Sequence, residues 1–275
     1  MESGYFDTQD DAHIYYEVRG SGKPIVLVHG WQCSHVFWQR NADVLAEDHR
    51  VITLDLRGHG NSSKGLHGIT IRQFARDIHG LMKYLGTEDA VLMGWSMGGP
   101  VVLSYYKQYG SEMLCGLGLV DMTPFPFSPE AWNTQGLRGY NMDGFNAQVN
   151  RLIYEREAYF ETFAANIFRN GVRPEGTEWV IEEFRKLPPW ISAAAYSDYL
   201  SSDYTGVLPS IEIPVLVVNA NGPVFANGIE QGRHIASQIP KGEFVPFYES
   251  GHMLFYEEAD KFNCLVKEFA ARCGK

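Results

Sequence analysis

The sequence has no basic excess, no long apolar run and no paired-cysteine spacing, and each absence removes a class of function. Against 33 Asp and Glu stand 23 Lys and Arg, a net charge of -10. A phosphate backbone needs a basic face, so no nucleic-acid partner is expected. No apolar stretch approaches the roughly 18 residues of a membrane span. The opening residues, MESGYFDTQDDAH, are acidic and lack the apolar core of a secretory signal. A cytoplasmic protein with no membrane contact is the expectation. The four cysteines, Cys33, Cys115, Cys264 and Cys273, show no Cys-x-x-Cys spacing. Free thiols in a reducing compartment are the simplest reading, with two bridges left open. No His, Cys and carboxylate cluster has zinc-like spacing, and no glycine loop is built to cradle phosphate. Neither a metal nor any other cofactor is expected.

What is present describes one large α/β domain. The 275 residues are 45% apolar and 20% charged, enough to bury a substantial core. The first two dozen residues read as a hairpin, with Ala12 to Arg19 rich in strand formers and Gly20-Ser21-Gly22 closing it, and a short apolar strand, Ile25 to Val28, follows. Strands are then expected at Val51–Leu54, Ala90–Met93, Leu117–Val120, Val215–Val218 and Phe244–Phe247. Helical patterns separate them; one carries Ile71, Phe74, Ile78, Leu81 and Leu85 at helical spacing behind a Thr70/Gln73 capping box. Such alternation implies right-handed crossovers and a mostly parallel sheet covered on both faces. The rhythm breaks between Thr123 and Tyr204, where only helical patterns occur and where 16 of the 37 aromatic residues lie. Residues 1–121 and 205–275 are therefore expected to form a sheet domain, and 122–204 an inserted helical cap.

Gly94-Trp95-Ser96-Met97-Gly98 sits between an expected strand and an expected helix. A serine at that turn is held in a strained backbone, its hydroxyl is presented above the sheet edge, and the next N–H can bind an oxyanion. Glycines packing a helix on its strand are the plain alternative. Together with His29-Gly30-Trp31, Asp55-Leu56-Arg57-Gly58-His59-Gly60-Asn61-Ser62 and Ser250-Gly251-His252, the motif resembles the α/β-hydrolase superfamily over nearly the whole chain. The resemblance implies an eight-stranded α/β-hydrolase fold, Ser96 as nucleophile and His252 as general base. It further implies an oxyanion hole from the backbone N–H groups of Trp31 and Met97. A serine in place of an aspartate nucleophile disfavours dehalogenase and epoxide hydrolase chemistry.

The family usually supplies its acid from the loop after the strand Val215–Val218, yet no Asp or Glu occurs between Glu212 and Glu230. Asn219 and Asn221 occupy that loop. Asp121, which follows Leu117–Val120 directly, resembles the acid of families that carry it one strand earlier. It is expected to orient His252, with helix capping as its alternative role. Asp55 is the other strand-end carboxylate, and Arg57 two residues on suggests a structural ion pair for it.

The cap offers Phe125, Phe127, Trp132, Tyr140, Phe145, Tyr154, Phe160, Phe163, Phe168, Trp179 and Trp190 as lining or as cap core. Trp31, Phe125 and Trp132 are the expected substrate contacts, and Trp95 is expected to pack. A small, largely apolar ester, lactone or aromatic substrate fits such walls. The resemblance extends to perhydrolases, long called non-haem haloperoxidases, and to cofactor-free 2,4-dioxygenases of hydroxyquinolone-type compounds, which would use His252 and Asp121 alone. A ligand-binding receptor with little turnover is the third class, and the intact Ser96 and His252 argue against it.

Overall fold

A computed structural model describes residues 1–274, built around one eight-stranded sheet. Its strands are β1 (Glu2–Asp7), β2 (His13–Arg19), β3 (Lys23–Val28), β4 (His49–Leu54), β5 (Ala90–Trp95), β6 (Leu114–Val120), β7 (Val215–Ala220) and β8 (Gly242–Phe247). The spatial order is β1-β2-β4-β3-β5-β6-β7-β8. β1 and β2 pair antiparallel, as do β2 and β4, and all later pairs are parallel. β5, β6 and β7 are buried along their whole length, which is why they read as continuous Val/Leu runs instead of alternating patterns. β8, half-buried at the edge, is where Pro246 is tolerated.

The first two dozen residues do form a hairpin, β1 to β2, but Gly20–Gly22 follows it instead of closing it. Its turn runs over residues 8–12, where the Thr8 N–H donates to the Ala12 carbonyl. β2 pairs with β1 on one side and β4 on the other, and β3 lies beyond β4. The glycines serve as a crossover link instead: a side chain on Gly20 would meet the Ala46 and His49 carbonyl oxygens at 2.3 Å.

The described residues also form ten α-helices: α1 (Ala42–Leu45), α2 (Ile71–Tyr84), α3 (Gly98–Tyr109), α4 (Met142–Tyr154), α5 (Arg156–Asn166), α6 (Trp179–Arg185), α7 (Pro189–Ser201), α8 (Gly228–Ser237), α9 (Leu254–Glu257) and α10 (Ala259–Arg272). α2 buries Ile71, Phe74, Ile78 and Leu81 on one face. Only half of its capping box forms: Thr70 accepts from the Gln73 N–H, while the Gln73 amide turns to Asp77. Helices α4 to α7 all lie between β6 and β7 in sequence. They are stitched to the sheet region by Trp31 Nε1 donating to the Ser192 carbonyl, by Ser34 donating to Glu183, and by the Ile71 N–H donating to Asp198. All four cysteines are free.

Arg57 does not pair with Asp55. Its guanidinium is fully buried between Asp77 and Asp10, at 2.8 Å and 2.5 Å. Asp55 turns the other way, to His35 and the Asn61 N–H. Among the described residues no helix is long and apolar enough to cross a membrane.

Candidate active site

Ser96 sits where β5 ends and α3 begins, with φ of 55°. That left-handed conformation costs a non-glycine residue about 1–3 kcal/mol and persists only where its surroundings impose it. The flanking glycines permit it sterically. A Cβ on Gly94 would lie 2.1 Å from the Gly98 carbonyl oxygen, and one on Gly98 would lie 2.7 Å from that of Val28. The Ser96 N–H donates to the Val120 carbonyl at 3.0 Å, tying the turn to β6. The serine is half-buried and opens onto a cavity of about 170 Å³.

His252, on the loop after β8, lines the same cavity. Its Nδ1 lies 2.6 Å from Asp121 Oδ2, and both side chains are almost fully buried. Asp121 also adopts a positive φ, 41°, at the end of β6. Its N–H donates to the Val218 carbonyl at 2.7 Å, and its Oδ1 accepts from the Ala220 N–H at 2.9 Å. Burial pushes the carboxyl pKa up, against the opposing hydrogen bonds from His252 and Ala220. The loop carrying His252 is held from several sides. Trp95 Nε1 donates to the His252 carbonyl at 2.9 Å, the Gly251 N–H donates to Glu257 at 2.8 Å, and the Met253 N–H donates to the Ile167 carbonyl at 3.0 Å.

The two asparagines after β7 have other surroundings. Asn221 Oδ1 accepts from the Ile229 N–H at the start of α8. Asn219 is fully buried toward Gly232 of α8, where a Cβ would stand 2.7 Å from its Oδ1. Neither bonds to His252.

Trp31 and Met97 are buried, and neither backbone N–H donates to any described residue. Unpaired buried N–H groups are rare, and these two flank the serine: a Cβ on Gly30 would approach Ser96 Cβ to 3.0 Å. The histidines of the neighbouring motifs are structural. The Leu56 N–H donates to His29 Nε2, so the proton rides on Nδ1 and reaches the Gly30 carbonyl at 2.7 Å. Complete burial lowers the His29 pKa to about 4, keeping the ring neutral. His59 is likewise buried and lowered, to about 3.

The expected substrate contacts divide. Trp31 lines the cavity and stacks on Tyr196 with ring centroids 4.4 Å apart. Phe125 and Trp132 do not reach it; both border a separate depression, where Trp132 stacks on His234 at 5.1 Å. Aromatic content alone gives no direction to a side chain, and the segment before α4 turns these two away. Of the cap aromatics expected as lining, only Phe163 does so. The walls come instead from Tyr159, Phe163 and Asn166 of α5, Tyr196 and Tyr199 of α7, Gln148, Gln135 and Phe225. Two of these sets were legible as spacing, because positions 159, 163 and 166 share one helical face, as do 196 and 199. The walls are also more polar than the aromatic count suggests, although no Asp, Glu, Lys or Arg lines the cavity. Among the described residues no group of three or more His, Cys, Asp or Glu could hold a metal ion.

Residues 23–259 match a family model described as alpha/beta hydrolase fold. The chain is 26% identical to the "Bifunctional esterase/perhydrolase DCH" of Acinetobacter calcoaceticus, over 94% of this chain and 96% of that protein. Among solved structures it resembles esterase RhEst1 from a Rhodococcus species, at 28% identity, TM-score 0.82 and full coverage of both chains. An esterase from Exiguobacterium antarcticum superposes with a TM-score of 0.90 at 24% identity, covering 98% of this chain and 100% of that one.

Proposed function

Because this chain belongs to the α/β-hydrolase fold family, we propose that it hydrolyses a small, uncharged carboxylic ester or lactone through an acyl-enzyme on Ser96. The observation carrying this reading is the buried Asp121–His252 pair opening onto the cavity that also exposes the strained Ser96.

With Nδ1–H held by Asp121, the imidazole keeps its lone pair on Nε2, the tautomer a general base requires. In this mechanism Nε2 removes the Ser96 proton as Oγ attacks the carbonyl carbon. The tetrahedral oxyanion takes the free N–H groups of Trp31 and Met97, donors that are already oriented and need no reorganisation. His252 then returns the proton to the leaving alcohol, and water attacks the acyl-enzyme by the same route in reverse. The Ser96 hydroxyl makes no hydrogen bond to a described residue at rest; such contacts commonly tighten only with substrate bound. Helices α4 to α7, within a cap of residues 122–204, would roof the site over a core of 1–121 and 205–275. Small esterases among the relatives support this reading.

The experiment is a p-nitrophenyl ester series on the wild type and Ser96→Ala, run beside oxygen-uptake assays on hydroxyquinolone-type compounds. Ester turnover that vanishes in Ser96→Ala supports hydrolysis. Oxygen uptake that survives in that variant, with no ester turnover in the wild type, replaces it with direct oxygenation.

A further inference from the structure

The cavity walls contributed by the helical insert and its leading loop carry unused hydrogen-bond donors. Gln135 accepts the Leu137 N–H through Oε1 at 2.5 Å and turns its amide toward the Tyr196 hydroxyl, so it is already engaged on both sides. Gln148 accepts the Tyr196 hydroxyl through Oε1 at 2.5 Å, and its Nε2 has no described partner. Tyr159 and Tyr199 are 6% and 5% exposed, line the cavity, and their hydroxyls bond to no described residue. Burial raises the pKa of both phenols, so they stay protonated and able to donate. Against these three donors, Gln148 Nε2 and the Tyr159 and Tyr199 hydroxyls, the described cavity lining offers no carboxylate as an acceptor and no cation that would call for an anionic ligand.

We propose that the part of the substrate lying beneath the insert carries neutral oxygen acceptors, such as a ketone, ether or amide oxygen, rather than a plain hydrocarbon chain. A buried donor left without a partner costs about 1–3 kcal/mol, and a site built around such donors discriminates against an analogue that lacks the acceptor. An alkyl chain would displace water from the Gln148 amide and the two phenols and give nothing back. The inference takes from the proposed function only that the reacting bond is an ester.

Two matched pairs of esters test it: 4-oxopentanoyl against pentanoyl p-nitrophenyl esters, and 2-methoxyethyl against butyl esters of one acid. Rates are normalised to alkaline hydrolysis. The wild type is expected to favour the oxygenated member of at least one pair by about tenfold or more in kcat/KM. Tyr159→Phe and Gln148→Leu, each verified as cooperatively folded, are expected to bring that ratio toward one. Binding is measured separately by calorimetry on Ser96→Ala with the intact esters, where the same preference should appear as affinity. Equal affinity and equal kcat/KM within both pairs would overturn the proposal. A preference in binding without turnover in the wild type would leave it standing and remove the hydrolase reading instead.

Discussion

Two buried aspartates end parallel strands of this sheet, and each binds the Nδ1 of a histidine: Asp55 with His35 at 2.8 Å, Asp121 with His252 at 2.6 Å. Distance does not tell them apart; what surrounds each pair does. Asp55 Oδ1 also accepts the His35 N–H, its Oδ2 accepts the Asn61 N–H, and His35 Nε2 faces Glu17 at 3.4 Å. Burial opposes a charge on His35, but Asp55 and Glu17 outweigh it and the histidine pKa is raised. That pair is a closed knot of charge holding the loops after β3 and β4 together. Among the described residues His252 meets no second carboxylate; its Nε2 is left to the cavity shared with Ser96. An Asp–His pair becomes a base only where the second nitrogen is free to take a proton from a reactant.

Breaking the reactive side should have the largest effect. Ser96→Ala is expected to lower ester kcat by about 10⁴-fold or more while leaving the unfolding midpoint unchanged, measured by steady-state kinetics and denaturant titration. Asp121→Asn keeps the shape of the side chain but can no longer hold the same tautomer, and about 10²–10⁴-fold in kcat is the expected loss. Trp95→Phe keeps a ring beneath His252 and removes one neutral hydrogen bond to its carbonyl. That bond's usual net worth of about 1 kcal/mol implies a fall in kcat of roughly fivefold, with KM little changed.

The structural pair should respond in stability. His35 has a raised pKa in the folded state, so its contribution is complete below pH about 6.5, the unfolded value, and fades as pH rises through the folded value. His35→Gln should therefore lose more stability relative to wild type at pH 6 than at pH 8, by denaturant titration. His35 does not line the cavity, and distant sites without shared partners act nearly independently, so kcat at pH 8 should stay within about threefold of wild type. A stability gap that widens with pH would break the contrast between the two pairs.

The elements that local pattern determines were legible in the sequence. The Val/Leu runs of β5, β6 and β7 and the apolar stripe of α2 are set by burial and spacing, and the glycines around Ser96 announce their own close approaches. The absence of an acid between Glu212 and Glu230 stands out only against the α/β-hydrolase pattern, and it was the resemblance to families with the acid one strand earlier that pointed to Asp121. What local pattern does not hold is long-range choice. β2 pairs with β4 because of sheet order, which Gly20–Gly22 cannot encode. Arg57 finds Asp10 and Asp77 across the fold and ignores its neighbour two residues away. Trp95 reads as packing because its bond to His252 spans 157 positions. Phe125 and Trp132 are aromatic like Phe163, and only the path of the chain decides which of them meets the cavity.

Whether Asp121 or the asparagines after β7 fix the tautomer of His252 is read from nuclear magnetic resonance of the His252 ring nitrogens. The spectra require no substrate. At neutral pH the wild type is expected to carry its ring proton on Nδ1, as are Asn219→Ala and Asn221→Ala, and Asp121→Asn is expected to lose this single protonation pattern. An unaltered Nδ1–H in Asp121→Asn, with its loss in either asparagine variant, would contradict the role given to Asp121.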